Sequence, residues 1–251
     1  MVKIKAAVCH KFGAPLQIET INLREPLTGE VEVTLGAVAV CHSDISFAAG
    51  DWGGELPAVY GHEAAGFVSK TGNAVKGFEI GDRVVVTLIK SCGNCNNCLE
   101  GNPTICEANN LAMPPILSAK NKTIQQVMNC GAFAEKVVVD QSQIVKLNSD
   151  LSFAAASLLA CGVITGVGAV VNAAKLRPGQ DVVVIGAGGV GLNAIQGARI
   201  AGARRIVAVD TNKDKLITAK EFGATDGVLA TEKSPWRMSK TLIGRGADVV
   251  L

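Results

Sequence analysis

The hydrophobic positions change rhythm partway along the chain. In the first half they come in short runs. Val31-Glu32-Val33-Thr34-Leu35 alternates apolar and polar residues, whereas Ala37–Val40, Val84–Val86 and Val137–Val139 are continuous. Alternation puts the apolar side chains on one face of a strand, and a short unbroken run suits a strand covered on both faces. Turn-forming pairs such as Glu25-Pro26, Thr28-Gly29, Gly53-Gly54 and Gly81-Asp82 separate the runs. This half predicts a β-rich barrel or sandwich. After Pro178-Gly179 strands and helices alternate instead. Val182–Ile185 reads as a strand, Leu192 to about Ala201 as a helix, and Ile206–Val209 as a second strand. Helix Lys213–Phe222, strand Val228–Leu229, helix Ser239–Ile243 and strand Ala247–Leu251 follow. The order βαβαβαβ predicts an open parallel sheet.

Between the halves, Leu151–Ala174 carries no charge and contains the small-residue pair Gly162 and Gly166. Ser152, Ser157, Gly168 and Asn172 dilute its apolar character, so it reads as a buried helix between domains rather than a membrane span. Met1–Lys5 is basic, but no apolar run of signal-peptide length follows it. A cytoplasmic protein without a membrane partner is expected.

Composition narrows the classes further. With 48% hydrophobic and 18% charged residues, the 251-residue chain can bury a core and is not intrinsically disordered. Its 28 glycines lack the three-residue period of collagen. A formal charge of +2 with 4% aromatics gives neither the basic surface nor the stacking platforms of a nucleic-acid binder.

Four of the eight cysteines are crowded as Cys92-x2-Cys95-x2-Cys98-x7-Cys106. In a reducing compartment such spacing points to metal rather than disulfides. Gly93, Asn94, Asn96, Asn97 and Gly101 supply turns that let successive thiolates face one tetrahedral ion. An iron–sulfur cluster fits less well, because bacterial ferredoxins use a shorter last spacer followed by proline. Four thiolates leave no open position, so a structural zinc is expected in a lobe of about residues 91–107.

Gly186-Ala187-Gly188-Gly189-Val190-Gly191 leaves a predicted strand and opens a predicted helix. Gly186 suits the tight turn, Gly188 the close approach of a pyrophosphate, and Gly191 the packing of helix on sheet. The helix N-terminus offers unpaired N–H groups to that pyrophosphate. Asp210 ends the next strand, where a carboxylate accepts from the adenosine ribose and repels a 2′-phosphate; NAD is favoured over NADP. A plain helix-capping role is the alternative for Asp210.

Together these features resemble a known family. Cys41-His42-Ser43-Asp44, Gly61-His62-Glu63, the four-cysteine lobe, Cys161-Gly162-Val163-Ile164-Thr165-Gly166 and Gly186–Gly191 occur in the order found in zinc-dependent alcohol dehydrogenases of the medium-chain dehydrogenase/reductase superfamily. The resemblance implies a GroES-like β-rich catalytic domain over residues 1–162. A Rossmann domain, a doubly wound parallel sheet, would occupy 163–251 and be incomplete at its C-terminal end. It further implies that Cys41, His62 and Cys161 ligate a catalytic zinc, giving two zinc ions per chain with the lobe. Ser43 would begin the proton relay, which in many members continues to a histidine where this chain has Ser46. Asp44 would orient His62, and Glu63 would lie close behind the metal. His42, Thr165, Val190, Gly189 and Lys215 would join Gly186, Gly188, Gly191 and Asp210 in holding NAD. Cys9 and Cys130 match no family position and read as buried thiols.

The implied reaction moves hydride between a primary or secondary alcohol and NAD, giving an aldehyde or ketone. Glutathione-linked formaldehyde oxidation, acting on S-hydroxymethylglutathione, is a second reading. A zinc-stabilised module or fragment without catalysis is a third, and the retained Cys41, His62 and Cys161 argue against it. Family members continue for roughly another hundred residues and complete a six-stranded fold. By that measure the chain reads as a truncated form, inactive and prone to associate through its last strand, whereas the complete protein would be a homodimer or homotetramer. Leu88 and the Met113–Pro115 loop suggest an apolar substrate wall.

Overall fold

A computed structural model describes the chain except residues 111–115, 120–121, 149 and 232. The chain divides into two compact units, Met1–Cys161 and Gly162–Leu251. The division falls one residue before the boundary the sequence suggests.

Among the described residues, the first unit is built on ten strands. Strands β1 (Val2–Cys9) and β2 (Gln17–Leu23) pair antiparallel and close a barrel with β4 (Ala58–Val59), β7 (Leu117–Ala119) and β8 (Lys122–Gln126). The second sheet runs in the order β10 (Ile144–Lys146), β6 (Arg83–Val86), β5 (Glu63–Thr71), β3 (Glu30–Ala39) and β9 (Lys136–Asp140). Barrel and sheet are thus both present. The runs Val31–Leu35 and Ala37–Ala39 form one strand with a register shift at Gly36, and Val40 lies just beyond its end. Leu35 pairs with Gly66 and Ala37 with Ala65, leaving Gly36 between them. Such a bulge bends and twists its strand. Val31, Val33, Val84, Val86, Val137 and Val139 meet in one buried cluster, as their period-two pattern requires.

The charge-free stretch is not one helix. Helix Phe153–Ser157 passes into a 3-10 turn, Leu158–Ala160, and Cys161 leaves the helical region at φ −144, ψ −68. A new helix, Gly162–Gly168, starts there, and Leu158, Ile164 and Val171 are exposed. The expectation of a continuous buried helix is therefore corrected, because the Cys161 backbone conformation cannot carry the i to i−4 ladder across. Among the described residues, no single helix is long and apolar enough to cross a membrane. Phe153 anchors the stretch at its other end. Its ring packs edge-on against Phe67 at 4.7 Å, and the Arg83 guanidinium lies over it at 4.9 Å. A Cβ on Gly36 would overlap that ring.

The second unit carries a parallel four-stranded sheet in the order β13 (Asp226–Leu229), β12 (Arg205–Asp210), β11 (Asp181–Ile185) and β14 (Val249–Val250). Three helices connect these strands: Gly189–Ile200, Lys213–Glu221 and Pro235–Ile243. Val182 and Val184 pack on one face with Ala194, Ile195 and Ala198 of the first helix. Val183, Val207 and Val209 pack on the other with Ile243. Burial on both faces explains why these strands are continuous apolar runs. The N-terminal end of the sheet is tied by charge: buried Asp181 accepts from Arg204 at 2.6 Å and Arg245 at 3.1 Å.

Candidate functional site

Three separated segments of the first unit bring four metal-binding groups together. The ligand atoms of Cys41, His62, Glu63 and Cys161 all lie within 4.8 Å of one another. Cys41 caps the helix His42–Ala49, His62 immediately precedes β5 and Glu63 opens it, and Cys161 ends the turn after helix Phe153–Ser157. His62 and Glu63 are buried, and the Glu63 carboxylate stands 4.0 Å from His62 Nε2.

Asp44, itself buried, organises this site. Its Oδ2 accepts from the Cys41 N–H at 2.9 Å, while Oδ1 accepts from the Gly61 N–H at 2.9 Å and lies 3.1 Å from His62 Nδ1. A proton on Nδ1 satisfies that contact and turns Nε2 toward Cys161. Gly61 sits at φ +93, and a Cβ there would run into Phe133, so glycine is required beside His62. Burial opposes a charged imidazole, but hydrogen bonds to Asp44 and Cys161 overcome it and raise the His62 pKa to about 10. The pocket thus offers strong negative potential. Two sulfurs, one imidazole nitrogen and an adjacent carboxylate form a donor set suited to zinc.

Ser43 is half-buried two residues after Cys41, His42 is exposed beside it, and Ser46 is buried. Cys130 is buried as expected; its thiol donates to the Thr87 carbonyl at 3.2 Å, and burial with nearby Asp44 holds it protonated. Leu88 packs partly against the valine cluster of the second sheet. Met113–Pro115 lies outside the described residues.

The lobe gathers Cys92, Cys95, Cys98 and Cys106, whose sulfurs also lie within 4.8 Å of one another. It is more ordered than a plain loop: a short helix, Asn96–Leu99, and a 3-10 turn, Pro103–Ile105, shape it. Backbone N–H groups point at the sulfurs, from Cys95 to Cys92 and from Cys92 to Cys106, both at 3.3 Å. Such donors, those of Glu107 and Cys98 foremost, lower the Cys95 pKa to about 6. Cys98 moves the other way, to about 11, through burial first and its neighbouring thiols second. Four sulfurs in this space need a cation before all can be thiolates.

In the second unit, Gly186 turns at φ +96, and a Cβ on Gly191 would overlap the Gly186 carbonyl oxygen. Side chains on Gly188 and Gly189 would project into open space at the start of helix Gly189–Ile200. That opening beside uncapped N–H groups is a cradle for phosphate. Asp210 Oδ2 accepts from the Ala187 N–H at 2.8 Å and Oδ1 from the Asn212 N–H at 2.9 Å. Burial would raise its pKa, but these bonds and Lys215 lower it, so the carboxylate stays ionised. The capping alternative falls to Asn212, whose side chain accepts from the Asp214 N–H. Val190 and Thr165 are exposed, and Gly166 next to Thr165 approaches the Val190 carbonyl too closely for any side chain.

Sequence reasoning overlooked two residues. Thr87 Oγ donates to the Ala160 carbonyl at 3.0 Å, and buried Gln143 donates to the Thr87 carbonyl at 3.0 Å. Neither lies in a motif, and no local signal marks them.

Comparison with known proteins gives one direction. Residues 28–149 match the alcohol dehydrogenase GroES-like domain, and residues 189–251 match the zinc-binding dehydrogenase domain. Alcohol dehydrogenase 6 of Peromyscus maniculatus is 38% identical over 90% of this chain and 62% of its own length. S-(hydroxymethyl)glutathione dehydrogenase of Synechocystis sp. is 40% identical over 90% of the chain and 63% of its own length. The chain thus spans less than two thirds of those curated relatives. The crystal structure of an alcohol dehydrogenase zinc-binding domain protein from Burkholderia ambifaria superposes with a TM-score of 0.94 at 32% identity, covering 99% of this chain and 70% of that one.

Proposed function

Because the chain belongs to the zinc-dependent alcohol dehydrogenases of the medium-chain dehydrogenase/reductase superfamily, we propose that the complete protein oxidises a primary or secondary alcohol and passes the hydride to NAD. The observation that carries this reading is the meeting of Cys41, His62 and Cys161 around Asp44. Three protein ligands leave a coordination position for the alcohol oxygen. A zinc ion held there supplies Lewis acidity, lowering the pKa of the substrate hydroxyl, and NAD supplies the hydride acceptor.

The chain's own groups do the rest. Asp44 holds the Nδ1 proton, so His62 presents Nε2. Glu63 adds a carboxylate behind the ligands. Ser43 would take the proton from the alcohol and pass it outward; because Ser46 stands where many members have the second relay histidine, water or the coenzyme ribose would carry it on. Gly186, Gly188, Gly189 and Gly191 admit the pyrophosphate. Asp210 keeps lone pairs for the ribose hydroxyls and repels a 2′-phosphate. His42, Thr165, Val190 and Lys215 complete the coenzyme contacts. Cys92, Cys95, Cys98 and Cys106 hold a second, closed zinc. Thiol-rich zinc sites suit the cytoplasm, and the complete protein is read as a homodimer or homotetramer. The likeness to a glutathione-linked relative makes S-hydroxymethylglutathione the second candidate substrate.

The test is an alcohol panel including S-hydroxymethylglutathione, run on the full-length protein with NAD or NADP. Reduced nicotinamide should accumulate with NAD, and Asp210→Ala should weaken NAD binding and relax the preference. Absence of turnover across the panel overturns the reaction, and an unchanged coenzyme preference in Asp210→Ala overturns the role of Asp210.

A further inference from the structure

We propose that Thr87 is a positioning residue for Cys161, acting through the Ala160 carbonyl, with Gln143 holding Thr87 in place. This rests on Cys161 being a zinc ligand, as read above.

Cys41 and His62 share one anchor, since Asp44 binds the backbone of the first and the ring of the second. Cys161 arrives from a different direction, 99 positions after His62. Its φ of −144 and ψ of −68 lie outside the helical region, so Cys161 stands at a break between two helical stretches. The residue before it is fixed, however. Ala160 is 2% exposed, and its carbonyl accepts from Thr87 Oγ at 3.0 Å.

Thr87 is itself held on both sides. Its N–H donates to the Gln143 carbonyl at 2.9 Å, and its own carbonyl accepts from Gln143 Nε2 at 3.0 Å and from Cys130 Sγ at 3.2 Å. Gln143, 1% exposed, also donates to the Asn129 carbonyl at 3.0 Å. The pair Ala64–Val86 sets β6 against β5, so Thr87 follows one step beyond, at the end of β5 where Glu63 and His62 lie. The hydroxyl therefore ties the Cys161 segment to the strand end that carries His62. Bulk alone does not do this: valine has the shape of threonine but no donor, and it would leave a buried carbonyl unbonded. Partners one step removed from a metal tune its affinity by about 10–100-fold.

Zinc release from the 251-residue chain to a chromophoric chelator would test this, with the visible spectrum of the cobalt-substituted chain as a second readout. Cys161→Ser identifies the zinc held by Cys41, His62 and Cys161. Thr87→Val should weaken that zinc by about 10-fold, the low end of the range for groups bonded directly to a ligand, and shift the cobalt ligand-field bands, with the lobe zinc retained. Thr87→Ser, which keeps the donor, should restore both. Unchanged affinity and spectrum in Thr87→Val overturn the positioning role alone. Equal weakening of both zincs, or no rescue by serine, shows general damage and also overturns it. Full zinc content in Cys161→Ser overturns the ligand reading itself, and the positioning role with it.

Discussion

Removing the Asp44 carboxylate should do more than disturb one ligand. In Asp44→Ala three donors lose their acceptor: the N–H groups of Cys41 and Gly61, and His62 Nδ1. Gly61 and His62 are buried, so water does not replace the lost partner, whereas Cys41 is half-buried and recovers in part. A stranded buried donor costs about 1–3 kcal/mol, which gives about 2–6 kcal/mol for these two. A domain holds about 5–15 kcal/mol in all, so the substitution removes a large share of it. Asp44→Asn should fall between. Its oxygen can still accept from Gly61 and His62, but its amide then faces the Cys41 N–H, one unfavourable contact of about 1–3 kcal/mol. The assay is urea unfolding with zinc analysis on the same samples. The urea midpoint should order as wild type above Asp44→Asn above Asp44→Ala. Zinc should drop by the ion at Cys41, His62 and Cys161, the lobe ion serving as internal reference. Wild-type stability together with full zinc content in Asp44→Ala would refute the reasoning.

Two further outcomes follow from the same geometry. Cys95→Ser should remove one zinc and loosen residues 91–107, because a hydroxyl is a poor substitute for thiolate; unchanged metal content would count against a closed lobe site. Burial would raise the Asp181 pKa, but hydrogen bonds from Arg204 and Arg245 lower it overall, so its stabilising contribution is present above the unfolded value and is lost as pH falls through the folded one. Asp181→Asn should flatten the acid side of the stability curve, measured by urea midpoints from neutral to about pH 3, and an equally steep acid side would exclude this ion pair as a cause.

What could be read from the sequence was local. The lobe was legible because its four cysteines fall within fifteen residues, Cys92 to Cys106. The glycine loop was legible because strand, loop and helix adjoin. Element edges moved by a few residues: the helix expected from Leu192 starts at Gly189, and the strand expected over Ala247–Leu251 shortens to Val249–Val250. β1 and β2 were missed although Val2-Lys3-Ile4-Lys5-Ala6 alternates apolar and polar residues as Val31–Leu35 does, so the strand signal was present in β1. β5 hid its strand character behind Glu63 and Gly66. Helix His42–Ala49 was missed because it is short and only Asp44 and Ser46 are buried in it, neither of them apolar. The grouping of Cys41, His62 and Cys161 came from family resemblance, because no spacing rule joins residues brought together only by the fold. Thr87 and Gln143 act through backbone carbonyls, which sequence does not mark.

The contact between Gly36 and Phe153 couples two positions that a residue-by-residue view would treat as independent. The ring fills the volume that any side chain at position 36 would need. Divergence at one site is therefore conditional on the other: a methyl at 36 is tolerable only after the ring at 153 has shrunk, and a smaller residue at 153 leaves a void unless 36 grows. Phe153 also begins the segment that ends at Cys161. Drift at the Gly36 bulge would thus reach Cys161 by altered packing of its segment, with no change at Cys41, His62 or Cys161 themselves.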